Sequence, residues 1–155
     1  MIIPETQLTN VDATLICRSY GIDLKTIMKN ELPNNPALGF YLVNLNSTGQ
    51  SGSHWTLLII KKDYCFWFDS FACPPANEIM SRLLPRFRGK IFFNNKIIQD
   101  LKSILCGYFC ISLLIIINDK KKKFDMLDIV EKYNNYFADN TKLNNERLRT
   151  LMENY

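Results

Sequence analysis

Four side chains able to do hydrolytic chemistry stand in this chain in the order His54, Asp69, Gln99 and Cys106. The single histidine opens an apolar run, Gly52-Ser53-His54-Trp55-Thr56-Leu57-Leu58-Ile59-Ile60, and a second run, Tyr64-Cys65-Phe66-Trp67-Phe68-Asp69, ends in a carboxylate. Gln99 precedes by seven residues the cysteine that begins Cys106-Gly107-Tyr108-Phe109-Cys110. A thiol attacks a carbonyl only as its thiolate, and a free thiol, with a pKa of about 8.5, holds little of that form at neutral pH. A helix N-terminus and a neighbouring imidazolium both stabilise the anion. On this reading Cys106 is the nucleophile, His54 takes its proton and returns it, and Asp69 holds the imidazole in the useful tautomer. Gln99 and the backbone N–H of Cys106 donate to the oxyanion, and Gly107 keeps the helix opening clear for substrate.

Each part has a plainer reading on its own. A cysteine in an apolar helix is usually a core residue, and Cys110, one turn beyond Cys106, reads that way. A histidine before a strand is more often structural than catalytic, Asp69 can merely end a strand, and Gln99 can be an exposed helix residue. The conjunction of four suitable types, one histidine and a consistent sheet parity favours chemistry.

That parity comes from the elements that must position the four. The two-residue link Lys62-Asp63 suits a hairpin joining His54–Lys61 to Tyr64–Asp69, with Lys61 opposite Tyr64 and Thr56 opposite Asp69. Side chains alternate along a strand, so His54 and Thr56 share a face, His54 and Asp69 become diagonal neighbours, and Trp55 points away. The run from Cys106 to about Asn118 is apolar on every side and predicts a buried helix. Upstream, Leu8–Tyr20 reads as a helix presenting Leu8, Val11, Leu15 and Ile16, with Thr9 or Asn10 as cap, and Leu24–Glu31 as a second short helix. Gly39–Leu45 and Lys90–Phe93 read as strands, Asn46–Ser53 as a mobile surface loop, and Pro75 to about Leu84 as a helix. Asp125 can cap a helix through Phe137, and Thr141 another through about Glu153.

Size and composition narrow the class. With 155 residues, 47% of them hydrophobic, one domain with a real core is expected. The longest apolar run, Ile104 to Ile117, falls short of the roughly 20 residues of a membrane span. Met1-Ile2-Ile3-Pro4-Glu5 lacks the basic and apolar regions of a signal peptide, so a reducing compartment is expected. The five cysteines are odd in number and, Cys73 apart, lie in apolar segments, which argues against a disulfide framework. A metal site is disfavoured, because Cys106 and Cys110 sit inside an apolar run, Cys65 and Cys73 lack ligand spacing, and only one histidine is available. Trp55 and Trp67 read as core, since no basic residues interleave with them as in a nucleic-acid platform. The net charge of +4 is partly local, in Lys120, Lys121, Lys122 and Lys123, a solvated helix end or a weak DNA contact.

At these residues the chain resembles the adenovirus-type maturation proteases, a family related in fold to the SUMO-specific and other ubiquitin-like-protein proteases. The matching pieces are Val43-Asn44, His54-Trp55, the strand ending Phe68-Asp69-Ser70-Phe71, Gln99, and Cys106-Gly107-Tyr108-Phe109-Cys110. Leu8-Thr9-Asn10 through Glu31-Leu32-Pro33 is most similar to the versions carried by virophages and Maverick or Polinton-type elements. The resemblance covers roughly residues 8 to 118. It implies an α+β fold, with a central mixed or antiparallel sheet packed against a buried helix bearing the nucleophile. It implies one cysteine protease domain over residues 1–155, with 8–118 as catalytic core and 119–155 as a C-terminal helical extension. His54, Asp69, Gln99 and Cys106 carry over as base, orienter, oxyanion donor and nucleophile. The adenovirus enzyme has glutamate where Asp69 stands, while many relatives use aspartate. The implied activity is that of a viral cysteine endopeptidase cleaving capsid and core precursors at small-residue, glycine-containing sites during virion maturation. Its expected place is the virion and the infected cell's cytoplasm or viral factory, without secretion. No cofactor is required, and stimulation by DNA or a viral peptide is allowed. The rival readings are an isopeptidase of deubiquitinase or SUMO type, acting on tails ending in Gly-Gly, and a non-enzymatic basic virion protein on a decayed protease fold.

Overall fold

Five strands, Leu24–Met28 (β1), Gly39–Asn44 (β2), Trp55–Ile60 (β3), Cys65–Phe68 (β4) and Ile91–Phe93 (β5), lie side by side in sequence order in the computed structural model. The structure describes residues 1–50, 53–121 and 124–155, so residues 51 and 52 of the loop expected before His54, and Lys122 and Lys123, lie outside the described residues. The sheet is mixed: β2 to β4 pair antiparallel, while β1 on β2 and β4 on β5 run parallel. Leu57 stands opposite Phe68 and Ile60 opposite Cys65, and the Lys61 N–H bonds the Tyr64 carbonyl at 2.9 Å. This is the register that the two-residue Lys62-Asp63 link predicts.

Helices cover both faces, giving an α+β fold of three layers. Leu42, Leu57, Ile59, Phe66 and Phe68 pack toward Cys106–Asn118 (α3), with Asn10–Ser19 (α1), Met126–Tyr136 (α4) and Asn144–Met152 (α5) completing that core. Tyr41, Val43, Leu58, Ile60, Cys65 and Trp67 face the opposite way, onto Asn77–Phe87 (α2). α3 is buried from Cys106 through Ile116, as its all-round apolarity requires. Among the described residues, no helix is long and apolar enough to cross a membrane.

Four expectations are corrected. Leu24–Glu31 is not a helix: β1 occupies Leu24–Met28, and only Lys29–Glu31 takes a 3-10 turn, with the Glu31 carboxylate accepting the Met28 N–H at 2.6 Å. Leu24, Ile27 and Met28 have helical spacing, but the parallel ladder on β2 satisfies the backbone and suits β-branched Thr26 and Ile27. α1 buries Ala13 and Cys17, while Val11 and Leu15 are exposed. α2 starts at Asn77 and runs through Pro85 to Phe87, past the expected stop at Leu84. Pro85 removes one helical N–H near the C-terminus, and the burial of Ile79, Leu83 and Phe87 one turn apart offsets that loss. Two of the three expected N-caps are in place, Thr9 accepting from Asp12 N–H and Asp125 from Leu127 N–H. The last helix begins later than Thr141, which opens a 3-10 turn capped by Asn140 before α5 starts at Asn144.

Candidate active site

The N-terminus of α3, the start of β3 and the end of β4 meet at one end of the sheet, and this convergence puts Cys106, His54 and Asp69 together. Cys106 is the first residue of α3 and is 8% exposed. No side chain caps α3 at Leu105, so among the described residues the N–H groups of its first turn have no side-chain partner at the cap. Those donors and the helix dipole face an anion at the Cys106 sulfur, which also receives the Trp55 N–H at 3.5 Å. His54 stands between the two: Nε2 meets Asp69 Oδ1 at 2.8 Å, and the Cys106 side chain is close enough to raise the imidazole pKa. Because Nε2 is taken by the carboxylate, Nδ1 is the ring nitrogen left for the thiol.

Asp69 is held with unusual completeness. Its Oδ1 accepts the Phe71 N–H at 2.8 Å as well as the imidazole, forming an Asx turn just beyond β4. The Asn94 side-chain amide grips its backbone on both sides, Oδ1 accepting the Asp69 N–H at 3.0 Å and Nδ2 donating to the Asp69 carbonyl at 2.7 Å. The same turn places Ala72 at φ 57° and brings the Phe71 ring onto His54, with centroids 5.0 Å apart and planes inclined by 30°. Phe71 thereby limits water at the imidazole from that side.

Burial by itself lowers the proton affinity of His54, but hydrogen bonds to Asp69 and Cys106 and the charges of both outweigh it, and its pKa rises from 6.5 to about 9. The imidazole therefore stays protonated at neutral pH, the form that stabilises a thiolate beside it. Burial pushes the Cys17 thiol up to about 11. Cys65 is pushed up to about 12 by burial, which outweighs the nearby Arg86 charge. Burial, then the charges of Cys106 and Asp69, raise Cys110 well above the ordinary thiol value. Cys110 thus remains a thiol, and it donates to the Trp55 carbonyl at 3.5 Å, tying α3 to β3. Cys110→Ala is expected to lower stability by about 1 kcal/mol, a loss of a few degrees in Tm, while alkylation at Cys106 proceeds at the wild-type rate. Loss of alkylation in that variant, measured by mass spectrometry, would show that the helix register has been misjudged.

Gln99 is 2% exposed and lies in the chain between β5 and α3. Its orientation is fixed by chemistry: the Ser70 hydroxyl donates to Oε1, the Ser70 carbonyl accepts the Gln99 N–H at 3.1 Å, and Nε2 donates to the Ser103 carbonyl at 2.8 Å. One of the two side-chain N–H groups is thus used, and one remains. Gln99 is a buried member of a network, not an exposed helix residue.

Gly107 has a different reason from the one its position suggested. A Cβ there would stand 2.8 Å from Leu8 Cβ and Cδ2 and 3.1 Å from Trp55 Cδ1, so glycine lets α3 seat against the chain before α1. The Trp55 indole N–H bonds the Leu8 carbonyl at 3.0 Å and closes that wall. A cleft of about 200 Å³ runs beside Cys106 between Leu8, Thr9, Asn10 and Trp55. A larger cavity, about 530 Å³, lies beyond the other end of α3 at Tyr20, Asn118 and Lys121, away from the thiol. Sequence reasoning gave no role to Asn94, Ser70, Ser103 or Phe71. Only the Phe68-Asp69-Ser70-Phe71 segment had drawn notice, and nothing local marks Asn94 or Ser103.

No protein-family model and no curated protein matches the chain. A crystal structure of the ASFV pS273R protease, in its selenomethionine form, is similar to it with 12% sequence identity and a TM-score of 0.48, covering 94% of this chain and 68% of that one.

Proposed function

We propose that the protein is a cysteine endopeptidase in which Cys106, His54 and Asp69 act as nucleophile, acid–base and orienter, with Gln99 as an oxyanion donor. The observation that carries this reading is the His54–Asp69 hydrogen bond of 2.8 Å beside the Cys106 thiol, which sits on the uncapped first residue of a 13-residue helix. The Cys106 thiolate attacks the scissile carbonyl, and the oxygen gains charge toward the Cys106 N–H and the Gln99 amide. His54 gives its proton to the leaving amine as the C–N bond breaks, leaving a thioester. Water, deprotonated by His54, then hydrolyses the thioester and restores the thiol.

The cleft beside Cys106, walled by Leu8, Thr9, Asn10 and Trp55, is where residues flanking the scissile bond would lie. The resemblance to adenovirus-type maturation proteases supports capsid and core precursors as the natural substrates, cleaved at glycine-containing sites during virion maturation. Lys120 and Lys121 are exposed past the C-terminal end of α3, about 20 Å from Cys106 by helix rise, so DNA there localises the enzyme and does not touch the reaction. The test is hydrolysis of peptides spanning small-residue sites of candidate precursors, set against a fluorogenic tail ending in Gly-Gly. Cleavage of the internal peptides is expected. Turnover of the tail alone would replace the endopeptidase by an isopeptidase, and turnover of neither would overturn the reading.

The raised His54 pKa sets the pH dependence. The rate is expected to rise as the Cys106–His54 pair forms its ionised state, hold through neutrality, and fall as His54 loses its proton near pH 9. The same shift is a stability statement: a folded pKa above the unfolded 6.5 contributes fully below about pH 6.5 and is lost as pH rises through about 9. Melting curves across that window should show the loss in wild type and its disappearance in His54→Ala. A flat rate from about pH 5 to 10 would exclude an imidazolium–thiolate mechanism.

A further inference from the structure

We infer that Asn145, on the helical segment beyond the core, is a positioning residue that holds the oxyanion amide in place through Ser103, an inference that rests on the role proposed for Gln99. The stretch from Asn94 to Leu105 contains no helix or strand, yet it carries Gln99 and delivers the chain to Cys106. On the sheet side Ser70 fixes its middle, its carbonyl accepting the N–H groups of Ile98 and Gln99 at 3.0 and 3.1 Å. On the other side, bonds to the C-terminal segment hold it. The Lys96 ammonium donates to the Phe137 carbonyl at 2.8 Å, Asn144 Nδ2 to the Ile98 carbonyl at 2.9 Å, Thr141 Oγ1 to Asp100 at 3.3 Å, and Ser103 Oγ to Asn145 Oδ1 at 2.8 Å.

Ser103 joins these supports to the chemistry. Its carbonyl accepts Gln99 Nε2 at 2.8 Å, and its hydroxyl accepts the N–H of Leu105, the residue before the nucleophile, at 3.2 Å. A serine hydroxyl has one proton, and Asn145 Oδ1 takes it, which turns the oxygen lone pairs toward Leu105. One side chain of α5 therefore sets the rotor that holds the start of α3, and it tethers the residue whose backbone carbonyl takes the oxyanion amide. Asn144 is a poor reporter, because it is wholly buried and also holds both backbone groups of Ala138, so its loss disturbs packing. Asn145 is half-buried, and its side-chain oxygen accepts from Ser103.

The experiment is a kinetic cycle on the full chain with a cleavable peptide. Asn145→Ala is expected to lower kcat about tenfold with KM unchanged, since small displacements of a catalytic group are costly. Asn145→Asp keeps the acceptor oxygen and should restore kcat to within about twofold of wild type, and Ser103→Ala should reproduce the loss. In a Gln99→Ala background the Asn145→Ala effect should shrink well below tenfold, because the part carried by the oxyanion amide is already gone. Alkylation of Cys106, which forms no oxyanion, should proceed at the wild-type rate in every variant, and circular dichroism should report an intact fold. An unchanged kcat in Asn145→Ala, or an equal loss in the Gln99→Ala background, overturns the inference. Wild-type turnover by Cys106→Ala would overturn the proposed reaction itself and this inference with it, and that result is obtained without touching Asn145.

Discussion

Replacing Cys106 by alanine is expected to abolish peptide cleavage, a loss on the order of 10⁶ in kcat by comparison with removal of a hydrolase nucleophile, while the fold survives. The sulfur takes a hydrogen bond from the Trp55 N–H at 3.5 Å, which does not secure the packing of α3. That packing depends on Tyr108 through Ile116, all buried against the sheet and the C-terminal helices. Stability is therefore expected to change by less than about 1.5 kcal/mol. The informative comparison is with Cys110→Ala, which removes a wholly buried thiol and its bond to the Trp55 carbonyl but leaves the nucleophile in place. The two variants should separate activity from stability in opposite directions. If Cys106→Ala cleaves peptide and Cys110→Ala does not, the helix has been read one turn out of phase.

The pair His54 and Asp69 was legible in the sequence because its geometry is local. A two-residue link leaves a hairpin little choice of register, and period-two alternation then fixes the face of every side chain. The start of α3 was legible for a related reason: an unbroken apolar run must be buried, and here the structural limit coincides with the residue that chemistry singled out. β1 was not legible, because its apolar spacing fits a helix and its strand character depends on a ladder with β2, more than ten residues away in sequence. Asn94 is another tertiary matter. It clamps the backbone of a residue 25 positions earlier, and an asparagine after a short strand carries no local mark of that task. Gly107 was assigned to the right place for the wrong reason, since only the fold reveals Leu8 pressed against it. The C-terminal helices could be drawn from periodicity, but their bonds to the Gln99 stretch could not.

Replacing Gln99 by alanine is expected to lower kcat by about 10² to 10³, equivalent to roughly 3 to 4 kcal/mol of transition-state stabilisation, and to spare KM. The split follows from when the interaction forms: the side-chain N–H meets a charged oxygen only after Cys106 has attacked, so the ground-state complex loses little. Alanine also leaves the wholly buried Ser70 hydroxyl without its acceptor, a cost of about 1 to 3 kcal/mol in stability that must be kept apart from catalysis. Gln99→Glu provides the separation. It preserves an acceptor for Ser70 and removes the amide donor, so kcat should fall although that hydroxyl stays satisfied. Thiol labelling at Cys106 by a small alkylating reagent should persist in both variants, because that displacement builds no oxyanion. Wild-type kcat in both would show that the backbone N–H groups of the first turn of α3 carry the oxyanion alone. Gln99 would then be a structural link between Ser70 and Ser103, and the donor role would pass to the helix terminus that begins at Cys106.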